Sequence, residues 1–202
     1  MIAIIDYGMG NLRSVQKALE KAGAQAVITS NPAEIEKAEK IVLPGVGAMR
    51  PAMEKLSSLN LIPVIKDSIA AGKPFLGICL GLQLLFEKGL EGGEVKGLEI
   101  LKGRVERFTP KKSFKIPQMG WNQLQIQKKD CPILKGIKDS VHVYFCHSYF
   151  VNPQEKNIVA ATTPYIQEFA SCIWEKNIFG VQFHPEKSQE VGLNILKNFI
   201  AI

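Results

Sequence analysis

A central, mostly parallel β-sheet with helices on both faces, joined to an antiparallel-rich second half, is the α/β fold class this sequence predicts. Three observations predict it. Short apolar runs alternate with helical patterns as far as Gly89. Beyond it, strand-like runs succeed one another with turns between them. A helical pattern at Glu190–Ile200 then closes the chain.

The elements follow in order. Ile2–Ile5 is a β-rich run ending at the turn Asp6-Tyr7-Gly8-Met9-Gly10-Asn11. Leu12, Val15, Ala18, Leu19 and Ala22 then recur at helical spacing up to Gly23. Ala26–Thr29 is a second strand. Asn31-Pro32-Ala33-Glu34 starts a helix, because the asparagine can cap a free N–H and proline suits the first turn. Ile41–Leu43 is a third strand, closed by Pro44-Gly45-Val46-Gly47. Residues 48–58 and 61–71 read as helices and Phe75–Ile78 as a fourth strand. A helix after Cys79 would carry Leu82, Leu85 and Phe86 on one face. The later strands are Leu98–Phe108, Asn122–Ile126, His142–Val151, Ile158–Thr163, Phe169–Trp174 and Ile178–Phe183. With no repeat and no linker, one domain over residues 1–202 is expected.

Composition narrows the function. Hydrophobic residues make up 46% and charged residues 22% of 202, enough for a sizeable core and far from disorder. Lys plus Arg exceed Asp plus Glu by 25 − 19 = 6, without a basic block. Nucleic acid is therefore not an expected partner, whereas an acidic protein face is compatible. The apolar stretch Pro74–Phe86 is broken by glycines and Gln83 and is too short for a bilayer, so no membrane association is expected. No basic leader opens the chain, and its four cysteines lack C-x-x-C pairing; a cytoplasmic setting is expected. No ligand cluster has metal spacing, and Arg13 occupies the third glycine position of a dinucleotide loop, so neither metal nor cofactor is expected.

The sharpest chemical signal is Gly77-Ile78-Cys79-Leu80-Gly81, placed where a buried-type strand meets a helix. Small–x–nucleophile–x–small at such a junction is the nucleophile-elbow pattern, here with cysteine. The glycines permit a tight turn that pushes the side chain outward. The helix N-terminus behind the sulfur favours thiolate and offers free N–H groups to an oxyanion. A buried structural cysteine is the competing reading, and it is the one adopted for Cys131, Cys146 and Cys172. A thiol also needs a base. His184 lies in Gln182-Phe183-His184-Pro185-Glu186 at a strand end, where Glu186 can accept the second imidazole N–H and set the tautomer. His142 and His147, inside one apolar strand, are read as structural. Pro44-Gly45-Val46-Gly47 ends another strand, and such a turn can aim backbone N–H groups at a substrate carbonyl in the crevice that parallel strand ends share.

Gly77-Ile78-Cys79-Leu80-Gly81-Leu82-Gln83 with His184-Pro185-Glu186 resembles the class I (triad) glutamine amidotransferases. Further segments, from Asp6-Tyr7-Gly8-Met9-Gly10-Asn11-Leu12 and Leu43-Pro44-Gly45-Val46-Gly47-Ala48 onward, match within that class. They include Met119-Gly120-Trp121-Asn122, Tyr144-Phe145-Cys146-His147-Ser148-Tyr149 and Gln182 to Ser188. Together they are similar to the glutaminase subunits of imidazole glycerol phosphate synthase in histidine biosynthesis. The resemblance implies that Cys79 attacks the side-chain amide of L-glutamine while His184, oriented by Glu186, protonates the leaving ammonia. It implies an oxyanion hole from Leu80 and the Val46–Gly47 loop, and glutamine binding by Gly45, Gln83, Ser148 and Tyr149. It also implies that Asn11, Trp121, Tyr144 and Lys187 face a (β/α)8-barrel cyclase in a heterodimer. Two positions depart from the family pattern: Gln118 stands where histidine is usual, and Ile166 where glycine is usual. Neither is expected to touch the triad; both lie in the second half, where partner contacts and loop geometry are set.

Three alternatives compete. A paralogous glutaminase would supply ammonia to a surface-sugar amidating synthetase. A non-catalytic binding subunit would keep the elbow as scaffold only, and a stand-alone cysteine peptidase would need a peptide cleft. The Cys79, His184 and Glu186 set argues against the scaffold.

Overall fold

The computed structural model describes residues 1–202. Its first half runs β1 (Ile2–Ile5), α1 (Leu12–Lys21), β2 (Ala26–Thr29), α2 (Pro32–Lys37), β3 (Lys40–Gly45), α3 (Met49–Ser58), α4 (Leu61–Ala70), β4 (Phe75–Cys79) and α5 (Leu80–Leu84). The second half adds β5 (Phe86–Gly89), β6 (Val95–Lys96), β7 (Leu101–Arg107), β8 (Gln118–Gln123), β9 (Gln125–Ile126) and β10 (His142–His147). It ends with β11 (Tyr149–Pro153), β12 (Val159–Pro164), β13 (Glu168–Glu175), β14 (Ile178–Val181) and α6 (Gln189–Ile200).

One sheet follows the path β2-β1-β3-β4-β14-β13-β11-β7-β5-β6, with β12 and β9 attached beside β13. From β2 to β14 its pairs are parallel. Beyond β14 they are antiparallel except where β5 meets β7. β8 and β10 form a separate antiparallel pair.

The unbroken apolar runs have a simple cause: the central strands are covered on both faces. Ile2, Ile4 and Val42 pack with Val15 and Leu19 of α1 and Ile195, Leu196 and Phe199 of α6. Ala3, Ile5, Ile41 and Leu43 point the other way, onto Ile35, Ala52, Leu56 and Ile65 of α2, α3 and α4. Each such valine, leucine, isoleucine or phenylalanine side chain contributes about 1.5–3 kcal/mol when fully buried. Asn31 caps α2 as its sequence predicts, accepting from Ala33 N–H at 3.0 Å. No helix is long and apolar enough to cross a membrane.

Three sequence expectations are corrected. The helix after Cys79 stops at Leu84, and Phe86 begins a strand instead of extending an apolar helix face. The carbonyls of Leu84 and Leu85 are taken by the N–H groups of Leu98, Ile100 and Leu101, so no further helical turn can use them. The expected strand His142–Val151 is two strands divided at Ser148. β10 pairs with β8, and β11 crosses to β7 and β13 in the large sheet. The strand Ile178–Phe183 ends at Val181, and the chain beyond it brings Gln182 and His184 to the site while Phe183 packs on Phe145 in the core. Strands β5 and β6 were not predicted.

Candidate active site

The carboxyl ends of β3, β4 and β14 lie side by side, with Gly45 opposite Cys79 and Val181 opposite Ile78. Cys79 ends β4 and caps α5 with φ 54° and ψ −108°. A non-glycine residue resists that conformation, so its surroundings must enforce it. They do so by close backbone contact. A Cβ on Gly81 would overlap the Leu43 carbonyl oxygen, and one on Gly77 would sit 2.7 Å from the Gly81 carbonyl oxygen. Gly45 is equally confined by the Tyr7 hydroxyl, which donates to the Pro44 carbonyl at 3.1 Å. Burial raises the Tyr7 pKa well above the ordinary phenol range, which keeps that hydroxyl a donor to the loop. Leu80, the first residue of α5, carries an N–H with no acceptor inside its own helix.

His184 is clamped by the neighbouring β10 strand. Its N–H donates to the Tyr144 carbonyl at 2.9 Å, and Ser188 Oγ donates to the His184 carbonyl at 2.7 Å. Its Nδ1–H donates to Glu186 Oε1 at 2.9 Å, and the Glu186 side chain is 1% exposed. Burial opposes a charge on His184. Hydrogen bonds with Cys79 and Glu186, and the charges of both, outweigh it and raise its pKa to about 10. Those contacts favour the protonated ring beside the sulfur. Glu186 Oε2 meets no donor, so the carboxylate is directed onto the ring alone.

A cavity of about 180 Å³ opens onto Cys79 and His184. Val46, Gly47, Leu80, Gln83, Ser148 and Tyr149 line it, as does Lys187. Gly45 does not line it and is buried beside Cys79, while Glu186 stands behind His184. A larger surface hollow of about 570 Å³, bordered by Glu36, Asp67 and Lys73, contains no thiol–imidazole pair.

Two histidine-linked residues enter this site unannounced. His147 lines the cavity yet is itself buried, and its pKa is lowered to about 4 by burial and by the charge of His184, against the effect of its bond to Tyr149. The neutral ring donates Nδ1–H to the Tyr149 carbonyl at 2.7 Å. Its Nε2 is then a lone pair, and it lies 3.0 Å from the Gln118 side-chain amide. The Gln118 NH2 is buried with no other acceptor, so turning that amide toward Nε2 satisfies both groups. Gln118 therefore shapes the Ser148–Tyr149 corner of the cavity. Of the two roles its place in the second half offered, partner contact or loop geometry, this contact fits the second. Cys146, expected as a core cysteine, lines the cavity too, and its carbonyl faces Cys79 Sγ at 3.9 Å.

Gln182 is a fourth residue that the sequence does not mark as part of the site. Its fully buried amide donates Nε2–H to Cys79 Sγ at 3.5 Å and accepts from Gln83 Nε2 at 3.0 Å. Its position two residues before His184, on the same side of extended chain, was the available signal.

At the rim of the cavity, which Lys187 lines, Trp121, Tyr144 and Lys187 form one cluster. The two rings are 6.1 Å apart, and Lys187 Nζ lies 5.7 Å from the Tyr144 centroid. Met119 and Trp121 are 65% and 47% exposed, unusual for such side chains. Asn11 sits apart at the start of α1, where Ser14 Oγ donates to its Oδ1 at 2.9 Å; α1 touches the turn that holds Lys187.

A thiol elbow and an imidazole–carboxylate pair that meet at one small cavity at the strand ends are the equipment of a thiol-dependent amide hydrolase. The chain belongs to the class-I glutamine amidotransferase family, whose model matches residues 3–202. Within it, relatives described as imidazole glycerol phosphate synthase subunit HisH align over nearly full length. The protein of Syntrophotalea carbinolica is 51% identical over 98% of each chain. That of Caldanaerobacter subterraneus subsp. tengcongensis is 56% identical over 98% of this chain and 97% of its own. The protein of Thermosynechococcus vestitus is 52% identical over 100% of this chain and 96% of its own. The fold is shared with more distant solved structures. PurLQS from Thermotoga maritima superposes with a TM-score of 0.76 at 20% identity, over 99% of this chain and 97% of that one. The glutaminase domain of Trypanosoma brucei CTPS gives 0.72 at 17% identity, over 99% of this chain and 92% of that one.

Proposed function

We propose that this chain is the glutaminase subunit of an imidazole glycerol phosphate synthase, a single glutamine amidotransferase domain that hydrolyses L-glutamine and passes the ammonia to a cyclase. The observation that carries the chemistry is the Cys79–His184–Glu186 set, assembled from the ends of β4 and β14 at one cavity.

Cys79 thiolate attacks the side-chain amide carbon of glutamine, and the oxygen becomes an oxyanion facing the Leu80 N–H and the Val46–Gly47 loop. His184 gives its Nε2 proton to the departing nitrogen, leaving a glutamyl thioester and ammonia. A water molecule, its proton taken by His184, then cleaves the thioester to glutamate and restores the thiolate. Ser148, Tyr149 and Gln83 surround the amino-acid end of the substrate. Gly45 has a supporting part, allowing the loop to approach Tyr7 and Leu80.

The ammonia consumer is a (β/α)8-barrel cyclase bound as a heterodimer through the Trp121–Tyr144–Lys187 cluster and Asn11. The exposed Met119 and Trp121 support a docked partner there. The relatives named above favour the histidine-pathway cyclase over a sugar-amidating synthetase. The test of the chemistry is Cys79→Ala: glutamate release should vanish while the far-UV spectrum is unchanged. Turnover near wild type would remove Cys79 from the mechanism.

A further inference from the structure

We propose that Gln182 is a further catalytic residue, an amide donor that holds the Cys79 sulfur as thiolate alongside His184. The inference rests on the reading of Cys79 as nucleophile and adds a residue to that site.

The direction of the amide is fixed by a chain of groups that can only be arranged one way. The Tyr149 carbonyl can only accept. It takes one hydrogen bond from His147 Nδ1–H at 2.7 Å and one from Gln83 Nε2–H at 2.9 Å, which uses both lone pairs. The second Gln83 N–H donates to Gln182 Oε1 at 3.0 Å. With its oxygen engaged, the Gln182 amide has to point its NH2 at Cys79 Sγ, 3.5 Å away. Reversing it would set two NH2 groups together and an oxygen against the sulfur. Gln182 is 0% exposed, so water cannot substitute for either partner. The same arrangement exhausts the donors of Gln83 and leaves only its Oε1 to accept from a bound substrate.

An N–H aimed at sulfur favours the thiolate over the thiol. Once the thioester forms, the sulfur loses its charge and accepts weakly, so the interaction belongs to the resting and final states. Two opposed effects follow from removing it. The thiolate forms at higher pH, by about one pH unit for a lost charge-assisted hydrogen bond. The thiolate that does form is more nucleophilic, by about threefold per pH unit from the Brønsted slope of thiolates. A residue that only supported the fold would produce neither signature.

The experiment is alkylation of the full-length chain by iodoacetamide, followed against pH on the Cys79 peptide by mass spectrometry. Gln182→Leu should move the midpoint upward by about one pH unit and raise the plateau rate about threefold. Gln182→Glu keeps an oxygen for Gln83 and places an acidic group at the sulfur. It should move the midpoint up at least as far, and it decides the matter should the leucine variant fail to fold. A midpoint and plateau equal to wild type in a folded variant would overturn the proposal. Glutamine turnover is scored separately: a wild-type chain that releases no glutamate with its partner would sink the glutaminase reading and leave the alkylation profile to judge Gln182.

Discussion

Glu186→Gln isolates the member of the proposed triad that does not line the cavity. In the wild type, Oε1 accepts from His184 Nδ1 at 2.9 Å and Oε2 meets no donor. The amide has the same shape without the charge. If its oxygen keeps the bond, its NH2 occupies the Oε2 position, where nothing accepts. If its NH2 faces the ring instead, the neutral imidazole must carry its proton on Nε2, and the lone pair needed by the incoming water is lost. Either way a charge-assisted hydrogen bond of about 1.5–3 kcal/mol disappears. At about 1.4 kcal/mol per tenfold, kcat should fall roughly 10- to 150-fold. KM should hardly move, because Glu186 does not line the cavity. One of the groups that raise the His184 pKa is also gone, so the basic limb of the rate profile should shift to lower pH. The assay is glutamate release as a function of pH in the presence of the partner subunit. A kcat within about threefold of wild type, with an unmoved basic limb, would refute the assignment of Glu186.

Three further outcomes are expected. Gly81→Ala drives a methyl group into the Leu43 carbonyl, so β3 and α5 must separate at the elbow; the melting temperature and glutamate release should both drop, and retention of both would show that the contact yields easily. Lys187→Ala should weaken assembly and coupling, read by titration calorimetry against the cyclase subunit, while Cys79 alkylation persists; unchanged affinity would remove Lys187 from the interface. The third concerns pH. The unfolded His147 takes up a proton near pH 6.5 and the folded one only near 4, so stability should decline as pH falls through that window, by about 3 kcal/mol for this group. His184 has the opposite sign: the stability its raised pKa contributes is present below pH 6.5 and lost as pH rises through about 10. A melting temperature that is flat on the acid side would contradict the burial of a neutral His147.

Much of this molecule is legible locally. The parallel core announces itself because strands covered on both faces are apolar throughout, and the elbow because its glycines and cysteine form one short run. His184 and Glu186 are equally visible, two residues apart. What stayed hidden depends on where distant segments meet. The five-residue α5 is short because residues near 100 take its last carbonyls, a competition no window around Leu85 reveals. The break at Ser148 arises because β10 and β11 belong to different sheets, although their residues read as one apolar run. Gln118, Cys146, His147 and Gln182 stay hidden for the same reason: each reads as an ordinary residue until the fold brings it to the cavity or behind it.

The most direct test of the central claim is glutamate release from glutamine by this chain, alone and with a histidine-pathway cyclase subunit carrying its ligand. Strong stimulation by the liganded cyclase and loss of all release in Cys79→Ala are expected. No stimulation, from a chain whose Cys79 still alkylates, would contradict it and separate the thiol chemistry from the proposed partner.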